Sequence, residues 1–281
     1  MKPTTTGNNP SNPRADIRLV AIDLDGTLLD DRKKISLQTI EGLGRVSASG
    51  VKVVIASARP PRSVKHIHAA LQLDTWQINY NGALIWDSAA RKAIFHCPLP
   101  GPTVRQIVEH ARRVDPRVLV SCELLDRWYT DHHDETYRTE TGRLFKPDVI
   151  APLESFFDVS MTKVLLAGSP PLMDEIETSL SIAHEKDVCL VRTEMDLIQI
   201  MHREVSKAVA LEMVAQHYGV PMASVLAIGD APNDLTMLRA AGTAVAMDNA
   251  HPAVKEIADW IAPSNNDHGV HATLVKYGLC G

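Results

Sequence analysis

LVAIDLDGTLLD, residues 19–30, decides how this chain is read. Its first four residues, Leu19–Ile22, are apolar, and they run directly into Asp23-Leu24-Asp25-Gly26-Thr27. A short run rich in Val and Ile, cut off by acidic and turn-forming residues, suits a strand buried on both faces of a parallel sheet. Three further runs follow the pattern: VKVVIA at 51–56, the weaker WQI at 76–78 and VLAI at 225–228. Each ends in polar residues with small neighbours. These are Ser57-Ala58-Arg59-Pro60, Asn79-Tyr80-Asn81-Gly82 and Gly229-Asp230-Ala231-Pro232-Asn233-Asp234.

Helical segments are expected between the runs. One spans Leu37–Ala48, after Ser36 as N-cap and before Gly50. Others are expected over 63–71, over 206–218 up to Gly219, and from near Asn233 to Gly242. Alternating strands and helices predict an α/β fold, a doubly wound Rossmann-like parallel-sheet core. From about Ile85 to Arg192 the pattern changes. A helix at 103–114, VLVSC, RWYT, KVLLA at Lys163–Ala167, a helix at 171–183, VCLVR and LIQIM predict a small α+β domain with an antiparallel sheet. The segment 131–160 is polar and carries no clear pattern. The division expected is a disordered tail over 1–15, a core of 16–84 with 193–281, and an inserted α+β cap domain over 85–192.

At 281 residues the chain has room for about two domains of roughly 150 residues each. Its net charge is −5 and 5% of its residues are aromatic, so neither a basic patch nor a base-stacking surface is indicated. We therefore expect no nucleic-acid and no membrane partner. No apolar run approaches the roughly 18 residues of a membrane span. The first fifteen residues carry no hydrophobic block of the kind a secretory signal needs. Cys97, Cys122, Cys189 and Cys280 have no CxxC spacing and read as reduced thiols, which fits a cytoplasmic protein.

In an open α/β sheet, ligands bind beyond the carboxyl ends of the strands. Asp23 and Asp25, two apart on an extended strand end, share a side, and Asp230 can join them from another strand end. Carboxylates gathered so closely call for a cation, and an oxygen-only donor set suits Mg²⁺. Read singly, each carboxylate is equally a turn residue or a helix cap.

DLDGTLLD resembles the signature of the haloacid dehalogenase superfamily, phosphatase branch. ASARP, NYNGA, VSKAVAL with Lys207, and IGDAPNDLTML are similar to its further motifs. AVAMDNA and SNNDHGV resemble tail signatures of its Cof-type subgroup, which carries a C2-type cap. The resemblance spans about residues 16–275. It implies an aspartyl-phosphate nucleophile at Asp23 and a general acid/base at Asp25. Ser57, Ala58, Lys207 and Asn233 would bind the substrate phosphate, with Arg59 and Asn81 as candidate substrate contacts. Asp23, Asp25, Asp230 and Asp234 would hold or support Mg²⁺. The physics suits these roles. Phosphoryl transfer asks mainly for positioning and charge stabilisation, and backbone N–H groups near Asp25, Ala58 and the helix start at Asn233 add positive potential.

Departures from the pattern are Ala58, Ala208 and Asp248 at usual glycine positions. Gln199 and His202 stand where the subgroup often has Glu and Pro. The cap is expected to set specificity, with Arg127, Trp128, Tyr129, His132 and His133 as candidates, although adjacent histidines rarely point together and suit a plain surface loop better than a metal site. The expected function is Mg²⁺-dependent hydrolysis of small phosphorylated metabolites by a monomer or homodimer, sugar phosphates first, with pyridoxal phosphate or flavin-type phosphates behind. A phosphomutase and a phosphometabolite-binding sensor are the alternatives.

Overall fold

The structure is a computed structural model and describes residues 16–133, 136 and 139–281, with the side chains of 140 and 193 left out. The tail expected over 1–15 lies outside the described residues. In chain order the elements begin β1 (Leu19–Ile22), α1 (Leu37–Ala48), β2 (Lys52–Ile55), α2 (Pro61–Ala70), β3 (Gln77–Asn79), β4 (Leu84–Asp87), β5 (Lys92–His96), α3 (Gly101–Val114), β6 (Leu119–Leu124), β7 (Arg127–Thr130), α4 (Glu140–Leu144) and β8 (Val149–Ile150). They continue β9 (Lys163–Ala167), α5 (Pro170–Ala183), β10 (Val188–Glu194), β11 (Leu197–His202), α6 (Lys207–His217), β12 (Val225–Gly229), α7 (Leu235–Ala240), β13 (Thr243–Met247), α8 (Pro252–Glu256), β14 (Trp260–Ala262) and α9 (Gly269–Lys276).

The chain divides into two compact units, one running through Val53 and resuming at Ala215–Gly281, the other Val54–Val214. In the first, a sheet of order β14-β13-β12-β1-β2 carries the fold. β1 pairs parallel with β12 in the register Leu19↔Val225 to Ile22↔Ile228, and β13 and β14 continue the parallel ladder. Every residue of β1 and β12 is buried, as the unbroken apolar runs require. α1 starts where expected: Ser36 Oγ accepts the Thr39 N–H, and Thr39, Gly42, Leu43 and Val46 form its buried stripe. α1 packs on α9, α7 on β12 and β13, and α8 on β13. α6 ends at His217, with Gly219 at φ +64, a left-handed turn that glycine adopts without a Cβ penalty.

The second unit holds a six-stranded sheet of order β10-β11-β9-β6-β7-β8. Its pairs are antiparallel except β7 with β8. Val104, Ile107, Val108 and Ala111 of α3 and Met173, Ile176 and Leu180 of α5 bury against Val120, Val164, Leu166, Ile198 and Ile200 of the sheet. The antiparallel α+β reading of this region holds. The polar stretch 131–160 contributes α4, β8 and a 3₁₀ turn at Leu153–Phe156.

One expectation is corrected. The sequence places WQI as a fourth strand of the parallel sheet. β3 instead leads a separate three-stranded antiparallel sheet, β3-β4-β5. A single parallel bridge, Ala56↔Ile78, is what remains of the expected pairing. The reason is local. Tyr80, Asn81 and Gly82 take positive φ values of 51°, 56° and 103°, so the chain reverses at once and pairs with itself. The same region explains why residues 54–84 group with the insert. Tyr80's hydroxyl reaches Glu123 and the Leu125 carbonyl, and Arg62 reaches Asp126, Glu123 and Asp148.

A buried imidazole, His68, and a half-buried one, His96, link the stability of this unit to pH. His68 Nε2 lies 2.8 Å from the Thr75 carbonyl and His96 Nε2 2.8 Å from Thr162 Oγ1. Burial lowers the pKa of both below the ordinary histidine value of 6.5, and for His68 the Thr75 bond offsets this only in part. The unfolded chain then binds more protons below about pH 6.5. The stability contributed is fully present above the unfolded value and is lost as pH falls through it. Thermal melts from pH 8 to 5.5 should show a falling Tm, with a smaller fall in His68→Gln. A Tm independent of pH over this window, which lies above the ordinary carboxylate range, would contradict the assignment.

Candidate functional site

β1 and β12 are neighbours from which the chain departs in opposite directions, to β2 on one side and to β13 and β14 on the other. The gap beyond their carboxyl ends is the topological switch point, where open α/β sheets bind ligands. The register Ile22↔Ile228 brings both strands to the same level there, and the Asp23 N–H extends the ladder to the Ile228 carbonyl at 3.1 Å. Asp23 and Asp230 therefore emerge close together. With Asp234 they form a group whose carboxylate oxygens lie within 4.8 Å of one another. Asp23 and Asp234 are buried and Asp230 is half-buried.

Asp234 and Asp230 are fixed by their neighbours. Asp234 Oδ2 accepts the N–H groups of Asp230 and Ala231, both at 3.0 Å, folding the loop after β12 back on itself. A Cβ at Gly229 would run into the Asp234 side chain, so this turn needs glycine. Thr27 Oγ1 donates to Asp230 Oδ1 at 2.6 Å. Gly26 has φ +81, and a Cβ there would strike the Asp230 carboxylate, so conformation and space both select glycine. The donor set is carboxylate oxygen alone, two of its members are buried, and the group fits a hard divalent cation such as Mg²⁺.

Asp25, expected beside Asp23, has its Oδ1 2.8 Å from Lys33 Nζ, and both side chains are about 40% exposed. It is not a member of the three-carboxylate group. Asn233 lies in the short 3₁₀ turn Pro232–Asp234 that precedes α7. The loop after Asp25 is secured by the tail signatures. Asn249 Nδ2 donates to the Gly26 carbonyl, Asn265 Nδ2 to the Leu29 carbonyl, and Asn266 Nδ2 to Asp31. The amide donors Asn266 and Asn265 hold the Asp31 carboxyl below its usual range.

Residues of the second unit form their own constellation. Ser57, Arg59, Asn81 and Lys207 are all buried. The Arg59 N–H donates to Ser57 Oγ, the Asn81 N–H to the Ser57 carbonyl, and Asn79 Nδ2 to the Arg59 carbonyl. Gly82 packs so closely on Ser206 and Lys207 that a Cβ would collide with the Ser206 backbone. Asn81 Nδ2 reaches Met201 Sδ at 3.9 Å.

The substituted glycine positions are harmless to the backbone. Neither Ala58 nor Asp248 has positive φ, and Ala208 is the second residue of α6, where alanine is a favoured helix former. Asp248 is exposed, with Lys255 Nζ at 3.5 Å. Gln199 is buried in β11 and accepts from Lys163 at 3.3 Å.

In the insert, the alternation of β7 separates the expected aromatic pair. Tyr129 packs edge-on to Phe156, while Trp128 meets His133 edge-on at 5.6 Å. Trp128, His132 and His133 line a cavity of about 570 Å³, open solvent included, with Glu123, Thr139 and Thr141. Arg127 is exposed. Sequence reading missed Thr27 as a carboxylate donor, Lys33, and the buried group of Arg62, Tyr80, Glu123 and Lys163. Thr27 had a signal, its place in DLDGT. The others lie far apart in sequence and carried none.

Comparison with known proteins agrees with this geometry. The family model described as haloacid dehalogenase-like hydrolase matches residues 20–274. The chain is 32% identical over 265 residues to 5-amino-6-(5-phospho-D-ribitylamino)uracil phosphatase YitU of Bacillus subtilis, covering 92% of this chain and 97% of that protein. It is 29% identical over 249 residues to an HMP-PP phosphatase of Yersinia pseudotuberculosis, covering 85% and 86%. Among solved structures it resembles a haloacid dehalogenase-like hydrolase from Bacteroides thetaiotaomicron at TM-score 0.82 and 27% identity, covering 92% and 98%.

The Asp234 turn predicts a split between two variants. Asp234→Ala leaves two N–H groups without their acceptor and should cost about 2 kcal/mol in urea unfolding without metal. Asp234→Asn keeps an accepting oxygen and should cost less than half of that. Equal losses would show that the carboxylate does not act as the turn's acceptor.

Proposed function

The chain belongs to the haloacid dehalogenase-like hydrolases and is a Cof-type phosphatase, and on that premise we propose that it hydrolyses phosphate monoesters of small metabolites with Mg²⁺ and through an aspartyl-phosphate on Asp23. The observation that carries the reading is the switch-point group of Asp23, Asp230 and Asp234.

Asp23 is the nucleophile. One of its oxygens forms a bond to phosphorus as the bond from phosphorus to the leaving oxygen breaks. Asp25 donates its proton to that leaving oxygen, then takes a proton from the water that attacks the aspartyl-phosphate, releasing phosphate and restoring Asp23. The more exposed setting of Asp25 and its freedom from the three-carboxylate group suit a residue that exchanges protons. Ser57, the backbone at Ala58, Asn233 and Lys207 hold the phosphoryl oxygens, and Arg59 and Asn81 contact the substrate. The burial of Ser57 and Lys207 supports this, since charge and dipoles act more strongly away from water. A Mg²⁺ bound by Asp23 and Asp230, with Asp234 fixing the loop, would neutralise the charge gathered on carboxylates and phosphate.

The insert at 85–192 acts as the cap that closes over substrate. A phosphorylated sugar or polyol is the leading substrate class, and the uracil phosphatase name of one relative supports a polyol phosphate joined to a ring. The hydroxyls and aromatic edge lining the insert's cavity suit such a molecule. Pyridoxal and flavin-type phosphates stand behind it. We place the enzyme in the cytoplasm as a monomer or homodimer. Four cysteines without a disulfide among the described residues agree with a reducing compartment, and no described helix is long and apolar enough to cross a membrane.

Phosphate release should be measured over a panel of sugar phosphates, 5-amino-6-(5-phospho-D-ribitylamino)uracil, pyridoxal phosphate and flavin mononucleotide. We expect release with Mg²⁺, loss with EDTA, and a fall of roughly 10³-fold or more in Asp23→Asn, the scale of losing an activated nucleophile. Isomer interconversion without phosphate release would replace the hydrolase with a mutase. Tight binding without turnover would replace it with a sensor.

A further inference from the structure

Among the described residues, the proposed hydrolysis leaves one cluster of ligating side chains unused. Cys97 Sγ lies 3.4 Å from His202 Nδ1, and a carboxylate oxygen of Glu204 lies within 4.8 Å of both. We propose that Cys97, His202 and Glu204 form a second metal site, selective for Zn²⁺ and similar thiolate-binding divalent ions.

The donors sit on defined backbone. Cys97 follows β5, and its N–H donates to the Ala83 carbonyl at 2.8 Å. It packs against the small cluster of Tyr80, Ala83, Leu84, Met201 and Val205. His202 is the last residue of β11, and the turn after it is closed by the Val205 N–H donating to the His202 carbonyl at 3.0 Å. Within that turn the Glu204 N–H points to His202 Nδ1 at 3.3 Å. Nδ1 is thus the unprotonated ring nitrogen, and a bound ion would take its lone pair in place of the long Glu204 N–H contact. Cys97 and His202 are half-buried and Glu204 is exposed. The two inner donors are thus fixed, and the outer one can swing in.

The spacing matches the ion. With zinc–sulfur bonds of about 2.3 Å and zinc–nitrogen bonds of about 2.0 Å at a tetrahedral angle, sulfur and nitrogen stand roughly 3.5 Å apart. The observed 3.4 Å needs little adjustment. Three protein ligands and a water would complete four-coordination. Sulfur, nitrogen and one oxygen is a donor set for borderline ions, whereas Mg²⁺ prefers oxygen alone and is drawn to the aspartate group. On binding, the S–H bond breaks, a metal–sulfur bond forms and the proton passes to water or buffer. Affinity should therefore rise with pH.

An ion here ties together segments 105 residues apart, one near the start of the insert and one just after its end. Val205, Ser206 and Lys207 follow directly.

The test uses the full chain, reduced, stripped with EDTA and kept in excess Mg²⁺, with Co²⁺ as the probe. A thiolate-to-cobalt charge-transfer band should appear and be displaced by Zn²⁺ at one equivalent per chain. The aspartate group cannot produce that band, because it contains no sulfur. Cys97→Ser and His202→Gln should each lose it, while Cys122, Cys189 and Cys280 remain as internal controls. Glu204→Gln, an exposed change that should leave folding intact, should keep the band and weaken Zn²⁺ binding. The proposal is overturned if the wild type shows no band or if the band survives Cys97→Ser. Unchanged Zn²⁺ affinity in Glu204→Gln would remove Glu204 from the site.

Discussion

Parallel pairing of β1 with β12 is the constraint on which the proposed chemistry rests. The register Ile22↔Ile228 brings two strand ends level, and each strand is followed within two residues by aspartate. Two carboxylates about 4 Å apart repel by roughly 4 kcal/mol at an effective dielectric near 20. The fold offsets part of this with donors placed beforehand. Thr27 donates to Asp230, and two backbone N–H groups donate to Asp234. The remainder is negative potential directed at one point, which is what a divalent cation stabilises. Gly26 and Gly229 are the two positions where a side chain would break this arrangement sterically.

A second constraint governs Lys207. Left-handed backbone costs a non-glycine residue roughly 1–2 kcal/mol, and Tyr80 and Asn81 both adopt it. The strain is held by burial of the Tyr80 ring, whose hydroxyl shares one proton between Glu123 Oε2 at 2.8 Å and the Leu125 carbonyl at 2.7 Å. The Asn81 N–H adds a bond to Ser57. What the turn achieves is the approach of Gly82 to the Ser206–Lys207 backbone. The backbone that carries Lys207, the lysine proposed to hold phosphate, is thus positioned through the buried Tyr80.

The parallel strands were legible because burial on both faces leaves an unbroken apolar run, and the edges of α1 were legible because Ser36 caps it. Asp23 and Asp230 were legible because each ends such a run. The pairing of β3 was not, since three residues of WQI cannot distinguish parallel from antiparallel partners, and the deciding feature is the φ of residues 80–82. The partner of Asp25 was not legible either. Lys33 reaches it across a loop whose course is set by Asn249, Asn265 and Asn266. The quoted tail signatures therefore act in structure as clamps on the loop after Asp25, a role that their spacing alone does not reveal.

Gln199 shows why a departure from a family pattern can be read as charge accounting. Lys163 is buried in β9, with Glu123 Oε1 at 3.2 Å, Gln199 Oε1 at 3.3 Å and the Tyr80 ring 5.0 Å beneath its ammonium. Glu123 is already shared with Arg62 and Tyr80. One buried anion thus meets two cations, and Arg62 is balanced further by Asp148, while its backbone N–H donates to Asp126 Oδ1. A glutamate at position 199 would add a second buried carboxylate against Lys163 and would require desolvation of another charge. Glutamine supplies the same acceptor oxygen without that cost. The glutamine keeps a hydrogen bond to Lys163 and avoids a second negative charge in the group that Lys163 forms with Glu123.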